Sequence, residues 1–252
     1  MSTTPNFLIL WGDGINCENE TAHAVELAGG RATKMHVNEL IQNPTQLHQF
    51  QSLIIPGGFS FGDHLGSGQI LALKLERFLK KELEIFVKKF PVMGICNGFQ
   101  TLVRLGLLPD ADFQRRCSLI KNEQGHFQNA WVNLERNTQS PCVWTRHLPE
   151  NFALPARHGE GRFVCESEEL LKTLQQKNQI VLRYSENFNG ATDRIAGICD
   201  PTGLVFALMP HPEAAINDWH LPYKGKAYGL EFFKSAVQYL KGSSWEKSNE
   251  LC

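Results

Sequence analysis

Pro91–Leu102 reads PVMGICNGFQTL and sets Cys96 between Gly94 and Gly98, where an apolar run gives way to a helical pattern. A buried structural cysteine needs neither glycine. A nucleophile on a sharp strand-to-helix turn needs both, because its backbone is strained and only small neighbours let the turn close. The helix N-terminus then lies under the sulfur and favours thiolate. The next backbone N–H, from Asn97, can point at a developing oxyanion. In a chain with 21 glycines such a run can arise by chance, and a nucleophile also needs a base.

Leu208–Ile216, LMPHPEAAI, supplies one. His211 and Glu213 stand two residues apart at the end of an apolar strand pattern, and on an extended chain such residues face the same side. A carboxylate there orients an imidazole and stabilises its protonated form, as the third member of a triad does. Alone, a histidine at a strand end is usually exposed or satisfied in the core. Beside an elbow cysteine it is the candidate base.

Pro56–Gly68, PGGFSFGDHLGSG, is a glycine-rich loop after a strand pattern. No G-K-[ST] follows it and the first βα turn lacks GxGxxG, so phosphate-loop and dinucleotide readings are weak. Gly57 and Gly58 instead allow close backbone approach to a substrate carbonyl. An oxyanion-hole N–H placed there is worth about 3 kcal/mol.

These residues need a scaffold. Phe7–Gly14, Ser52–Gly58, Pro91–Cys96, Ile195–Asp200 and Leu204–His211 read as strands, each continuously apolar as expected when both faces of a sheet are covered. Helical patterns cover Glu18–Gly29, Gln69–Phe90, Asn97–Leu108 and Gly229–Gly242. Strand–helix alternation over the first part of the chain predicts an α/β fold with a parallel, doubly wound sheet. Cys117–Asn137 alternates and predicts an antiparallel excursion beside that sheet. The tail after Gly242 is expected to be loosely held.

At 252 residues, one large α/β domain spanning 1–252 is the expectation. A formal net charge of -1 implies no bulk attraction to nucleic acid or to an anionic membrane. The N-terminus lacks the basic region and cleavage site of a signal peptide, so a cytoplasmic protein is the default. Seven cysteines, widely spaced and without a CxxC pair, argue against a disulfide framework or a zinc ribbon. His23, His36, His48, His126, His147 and His220 show no metal-ligand spacing, and no metal site is expected. Asp63 and His64 are placed to shape the glycine loop, Trp11 to pack, and the Lys80–Lys89 charges to face solvent.

Together, G-I-C-N-G-F-Q, the distant H-P-E and P-G-G-F-S-F-G-D resemble the triad-type (class I) glutamine amidotransferases. ARHGEGRF (Ala156–Phe163) and the LLP after the elbow helix are similar to the glutaminase subunits of phosphoribosylformylglycinamidine synthase. The resemblance spans roughly residues 6 to 240. It implies a flavodoxin-like, mostly parallel open sheet with helices on both faces, plus a small antiparallel excursion. It implies that Cys96 attacks the side-chain amide of glutamine, that His211 moves the protons, and that Glu213 orients His211. Gly58 and Asn97 would supply the oxyanion N–H groups. Gly57, Gln100, His158, Gly159, Glu160 and Gly161 would help hold glutamine. Ammonia would pass to a separate PurL-like synthetase subunit, with a small PurS-like subunit as a third candidate member. No cofactor is implied on this chain, and ATP and Mg²⁺ would belong to the synthetase. The absence of any convincing ATP loop here independently points to such a partner. Three places depart from the family pattern: Ala214 stands where arginine often follows H-P-E, Gly62–Gly68 reads GDHLGSG, and the helix pattern after it, Gln69–Phe90, reads unusually.

Two other readings stay open on the residues alone. One is a glutaminase of the same class feeding another acceptor. The other is a catalytically silent glutamine-binding or regulatory protein, which an intact Cys96–His211–Glu213 set disfavours. A lone cysteine hydrolase of peptidase or glyoxalase type is more remote.

Overall fold

The computed structural model describes residues 4–242. The tail expected to be loose lies outside the described residues. Among these residues, nine strands form the main sheet in the order β2-β1-β3-β4-β11-β10-β9-β6-β7. They are β1 (Asn6–Trp11), β2 (Arg31–His36), β3 (Ser52–Ile55), β4 (Val92–Ile95), β6 (Gln128–Arg136), β7 (Asn151–His158), β9 (Ile180–Tyr184), β10 (Ile195–Cys199) and β11 (Val205–Leu208). A separate two-stranded ribbon pairs β5 (Cys117–Ile120) with β8 (Arg162–Cys165).

β2, β1, β3, β4 and β11 run parallel. The chain moves one way along the sheet from β1 to β2 and the other way from β3 to β4. Right-handed crossovers therefore place α1 (Glu18–Leu27) and α3 (Gln69–Phe86) on opposite faces. α1 packs with α6 (Gly229–Gly242), and α3 with α4 (Asn97–Leu105), which gives the doubly wound arrangement expected from the sequence. The strand order reverses between β1 and β3, and the crevice at their carboxyl ends is where open α/β sheets bind ligands.

The antiparallel part differs from the excursion read in the sequence. β6, β7, β9 and β10 continue the main sheet beyond β11 rather than lying beside it. Only β5, the first piece of that alternating stretch, leaves for the ribbon with β8. Ile195–Cys199 is continuously apolar because both its faces are buried, although it runs antiparallel to both neighbours. The helix α2 (Val37–Gln42), capped by the His36 ring, and the polar strand β2 carry no apolar run. β2 is a sheet edge, where polar residues are the rule.

Candidate active site

The β4–α4 junction turns through Cys96 itself. Its backbone sits at φ 51° and ψ −102°, a conformation that costs a non-glycine residue roughly 1–3 kcal/mol. Hydrogen bonds hold it on both sides: the Cys96 N–H donates to Leu208 O at 2.9 Å, and the Gln100 N–H donates to Cys96 O at 3.1 Å. Both flanking glycines are sterically required. A Cβ on Gly94 would lie 2.6 Å from the Gly98 carbonyl oxygen, and one on Gly98 would lie 2.0 Å from that of Ile55. Cys96 is 6% exposed, and its sulfur contacts the Arg157 carbonyl at 3.6 Å. The Asn97 N–H opens α4 and has no acceptor within the helix.

β11 delivers the second component. His211 Nδ1 and Glu213 Oε1 are 2.5 Å apart, with both side chains buried. An extended chain is not what brings them together. A short 3-10 turn over Pro212–Ala214 follows His211 and folds the carboxylate back onto the ring. Burial alone would pull the imidazole below its ordinary value. The Glu213 charge, then the Cys96 and Cys17 sulfurs, more than offset this and hold it well above. With Nδ1 engaged by Glu213, Nε2 is the nitrogen left for a thiol proton. A protonated imidazole beside a sulfur favours a thiolate–imidazolium pair.

The glycine loop after β3 closes the crevice. Gly58 has φ 145°, and a Cβ there would meet Gly14 O and Ile15 Cα at 2.7 Å. The loop is pinned to the elbow by the side chain of Asn97, which is fully buried. Its Oδ1 accepts from the Ser60 N–H at 3.1 Å, and its Nδ2 donates to Asp63 Oδ1 at 3.0 Å. Burial raises the Asp63 carboxyl above its ordinary value, while hydrogen bonds from Ser67, Asn97 and Gly68 oppose that rise. Asp63 is thus built into the loop, whereas His64 is exposed. Trp11 packs edge-on against His36, at 4.7 Å between ring centroids.

The antiparallel half supplies the facing wall. His158 is 2% exposed, and burial, then the His211 charge, pull its imidazole pKa down to about 4, so it is neutral at physiological pH. Asn122 brackets this segment. Its Nδ2 donates to His158 O at 2.7 Å, while its Oδ1 accepts from the Gly161 N–H at 3.1 Å and faces His158 Nδ1 at 3.1 Å. A Cβ on Gly161 would lie 2.2 Å from the His158 ring. Gln100 spans the two walls: its Oε1 accepts from Asn97 Nδ2 at 2.9 Å, and its Nε2 donates to Glu160 O at 2.6 Å. Glu160 Oε2 accepts from the Ser67 N–H at 3.3 Å. Gly159 has open space around it: a Cβ there would meet only the Phe127 ring within 4 Å, at 3.9 Å. At the rim, Phe59 and Phe127 lean together with ring centroids 6.4 Å apart.

Cys96, His211, Glu213, the glycine loop and the 158–161 segment thus meet at one place in the fold. Two nearby residues were missed in the sequence. Asn122 joins the site through contacts with a distant strand and carries no local pattern. Cys17 lies in the loop after β1, at the strand-order reversal, and its sulfur reaches the His211 ring. The reversal point was the available signal, and only the strand order reveals it. No helix among the described residues is long and apolar enough to cross a membrane.

Comparison with known proteins agrees with the geometry. The CobB/CobQ-like glutamine amidotransferase domain matches residues 4–240. Phosphoribosylformylglycinamidine synthase subunit PurQ of Methanococcus maripaludis strain C7 is 38% identical, over 95% of this chain and 98% of that protein. The protein of the same name from Treponema denticola is also 38% identical, over 94% and 99%. Among solved structures, a chain of PurLQS from Thermotoga maritima superposes with a TM-score of 0.76 at 31% identity, covering 94% of this chain and all of that one.

Proposed function

The chain belongs to the CobB/CobQ-like glutamine amidotransferase family, and on that premise we propose that it is the glutaminase subunit of a phosphoribosylformylglycinamidine synthase. The observation that carries the reading is a strained, buried Cys96 set against a buried His211–Glu213 pair.

The Cys96 thiolate attacks the side-chain carbonyl carbon of glutamine. The N–H groups of Gly58 and Asn97 stabilise the oxyanion that forms. The His211 imidazolium gives its proton to the departing nitrogen, which leaves as ammonia, and a thioester remains on Cys96. His211, now neutral, takes a proton from water as the water attacks the thioester, and glutamate is released with the thiolate restored. Glu213 keeps Nδ1 protonated throughout. Gly57 lets the loop backbone approach the substrate. The segment His158, Gly159, Glu160 and Gly161 forms the wall against which glutamine lies. The Gln100 amide is committed at both ends, so it contributes as a strut holding that wall to the elbow.

The ammonia acceptor is a formylglycinamide ribonucleotide bound on a separate PurL-like synthetase, with ATP and Mg²⁺ on that subunit and a small PurS-like subunit in the assembly. The setting is the cytoplasm. The test is Cys96→Ala combined with the synthetase. Amidine synthesis from glutamine should vanish, while synthesis from ammonium salts persists. Equal loss with both nitrogen sources contradicts ammonia transfer, and amination of a different acceptor only contradicts the purine assignment.

A further inference from the structure

The cysteines are widely spaced in the sequence, yet the β5–β8 ribbon sets two of them face to face. Cys117 and Cys165 are directly opposed in its antiparallel register. The Glu166 N–H donates to Arg116 O at 3.0 Å. Arg116 and Glu166 are therefore the hydrogen-bonded pair, and Cys117 and Cys165 beside them are a non-hydrogen-bonded one. Cα atoms in such a pair are about 4.5 Å apart, inside the range of about 4.4–6.8 Å that a disulfide spans. Cys117, Leu119 and Phe163 are buried along one face of the ribbon, and Cys165 is half-buried on the same face. The two thiols are unequal. The Cys117 thiol donates to the Cys165 sulfur, which pulls the Cys165 thiol down against its burial and the Glu166 and Asp193 charges. That same bond, then burial, pushes the Cys117 thiol up. Cys165 is thus the more accessible and the more reactive of the two. Cys142 and Cys199 also neighbour each other, but both are shut away from solvent, and Cys142, then burial, pushes the Cys199 thiol up. The ribbon carries the substrate wall. Gly161 immediately precedes β8, Asn122 follows closely on β5, and the Asn122 amide holds His158 and Gly161. Phe163 of β8 stacks on Phe99 of α4, with ring centroids 6.1 Å apart.

We propose that Cys117 and Cys165 are a site of reversible oxidation by hydrogen peroxide, closing to a cross-strand disulfide that ties the ribbon and firms the glutamine wall built on it. The Cys165 thiolate attacks one peroxide oxygen. An S–O bond forms, the O–O bond breaks, and the leaving hydroxide takes up the proton that Cys165 gave up, as water. The Cys117 sulfur then attacks the Cys165 sulfur. The S–S bond forms, the S–O bond breaks, and the Cys117 proton leaves with the hydroxide as a second water. Two thiols are oxidised and the peroxide is reduced. A dithiol reductant reopens the bond by exchange. A two-stranded ribbon is marginal by itself, so a covalent tie preorganises what it carries and lowers the cost of binding. The effect on glutamine rests on the glutaminase reading; the disulfide does not.

The experiment treats the full chain carrying Cys96→Ala, which removes the competing nucleophile, with hydrogen peroxide and maps its disulfides by mass spectrometry. The expected result is a bond joining Cys117 to Cys165, reopened by dithiothreitol, with Cys142 and Cys199 still thiols. Adding Cys117→Ser should leave Cys165 as a sulfenic acid that dimedone traps. Adding Cys165→Ser instead should leave Cys117 a thiol. With Cys96 restored, each serine variant should keep basal glutamine hydrolysis within about twofold of the parent chain. By calorimetry, the oxidised Cys96→Ala chain should bind glutamine at least about twofold more tightly than the reduced one, and both serine variants should lose that gain. No bond between Cys117 and Cys165, a bond from either to another cysteine in its place, or dimedone trapped on Cys117 rather than Cys165 overturns the proposal. Glutamine binding that oxidation leaves unchanged or weakens overturns it as well. The disulfide map needs no glutamine: if the bond forms as expected and neither redox form binds glutamine, the oxidation site stands and the glutaminase reading falls.

Discussion

In the parallel half of the sheet, backbone geometry fixes the site; in the antiparallel half, side chains fix it. Cys96 is held by a strained turn between two glycines, and Gly58 by a positive φ against the loop after β1. His211 stands at the end of β11, its backbone N–H donating to Pro155 O at 2.8 Å. Across the crevice, the 158–161 segment depends on the Asn122 amide, the Gln100 strut and the Ser67 contact to Glu160. Parallel strands end on one edge, where the helix and loop that follow β4 and β3 present backbone N–H groups, which suits the attack and the oxyanion. The antiparallel strands bring no such convergence, so a substrate wall built on them needs polar side chains to hold its shape. Damage to the first half should therefore remove chemistry, and damage to the second should loosen substrate binding.

The sharpest break comes at the nucleophile: Cys96→Ala should lower glutamine hydrolysis by at least about 1,000-fold with little change in thermal stability. Gly98→Ala attacks the same turn through its backbone. With a methyl 2.0 Å from Ile55 O, denaturant unfolding should show a loss of about 3 kcal/mol or more, together with loss of activity. Glu213→Gln leaves the turn intact and removes a charge. Turnover should fall by about 100-fold or more. Without the carboxylate, burial dominates and the His211 pKa drops. The imidazolium then loses its proton at lower pH, so the alkaline limb of the rate profile should move to lower pH. An unmoved limb would remove Glu213 from this role.

The opposite wall should respond differently. Asn122→Ala should raise KM for glutamine about tenfold and change kcat by less than about threefold, because the elbow and the imidazole are untouched. An equal fall in kcat would erase the proposed division between the halves. The smallest effect belongs to Gly159→Ala, where the nearest atom is 3.9 Å from the new methyl carbon. Stability should change by no more than about 0.5 kcal/mol.

The same division governs what could be read from the sequence. The elbow, the H-P-E pair and the glycine loop are each local, and each depends on residue types that tolerate only one kind of backbone. They were legible for that reason, as were the apolar strands and helices that position them. Even so, the 3-10 turn after His211, rather than an extended chain, brings Glu213 to the ring. Strand orientation beyond β11 was hidden, because continuous apolarity reports burial on two faces and not direction. β2 was hidden by the polar residues of an edge. Asn122 and Cys17 were hidden because their contacts join distant segments: Asn122 reaches β7, and Cys17 reaches His211 in the turn beyond β11.

The central claim is that Cys96 is a nucleophile made for glutamine. Its most direct test is peptide mapping after treatment with a glutamine-mimicking electrophile, with and without excess glutamine, in metal-free buffer and in the presence of the synthetase. Modification confined to Cys96 and suppressed by glutamine is the predicted result. An unmodified but reduced Cys96, or labelling that glutamine does not protect, would contradict the account.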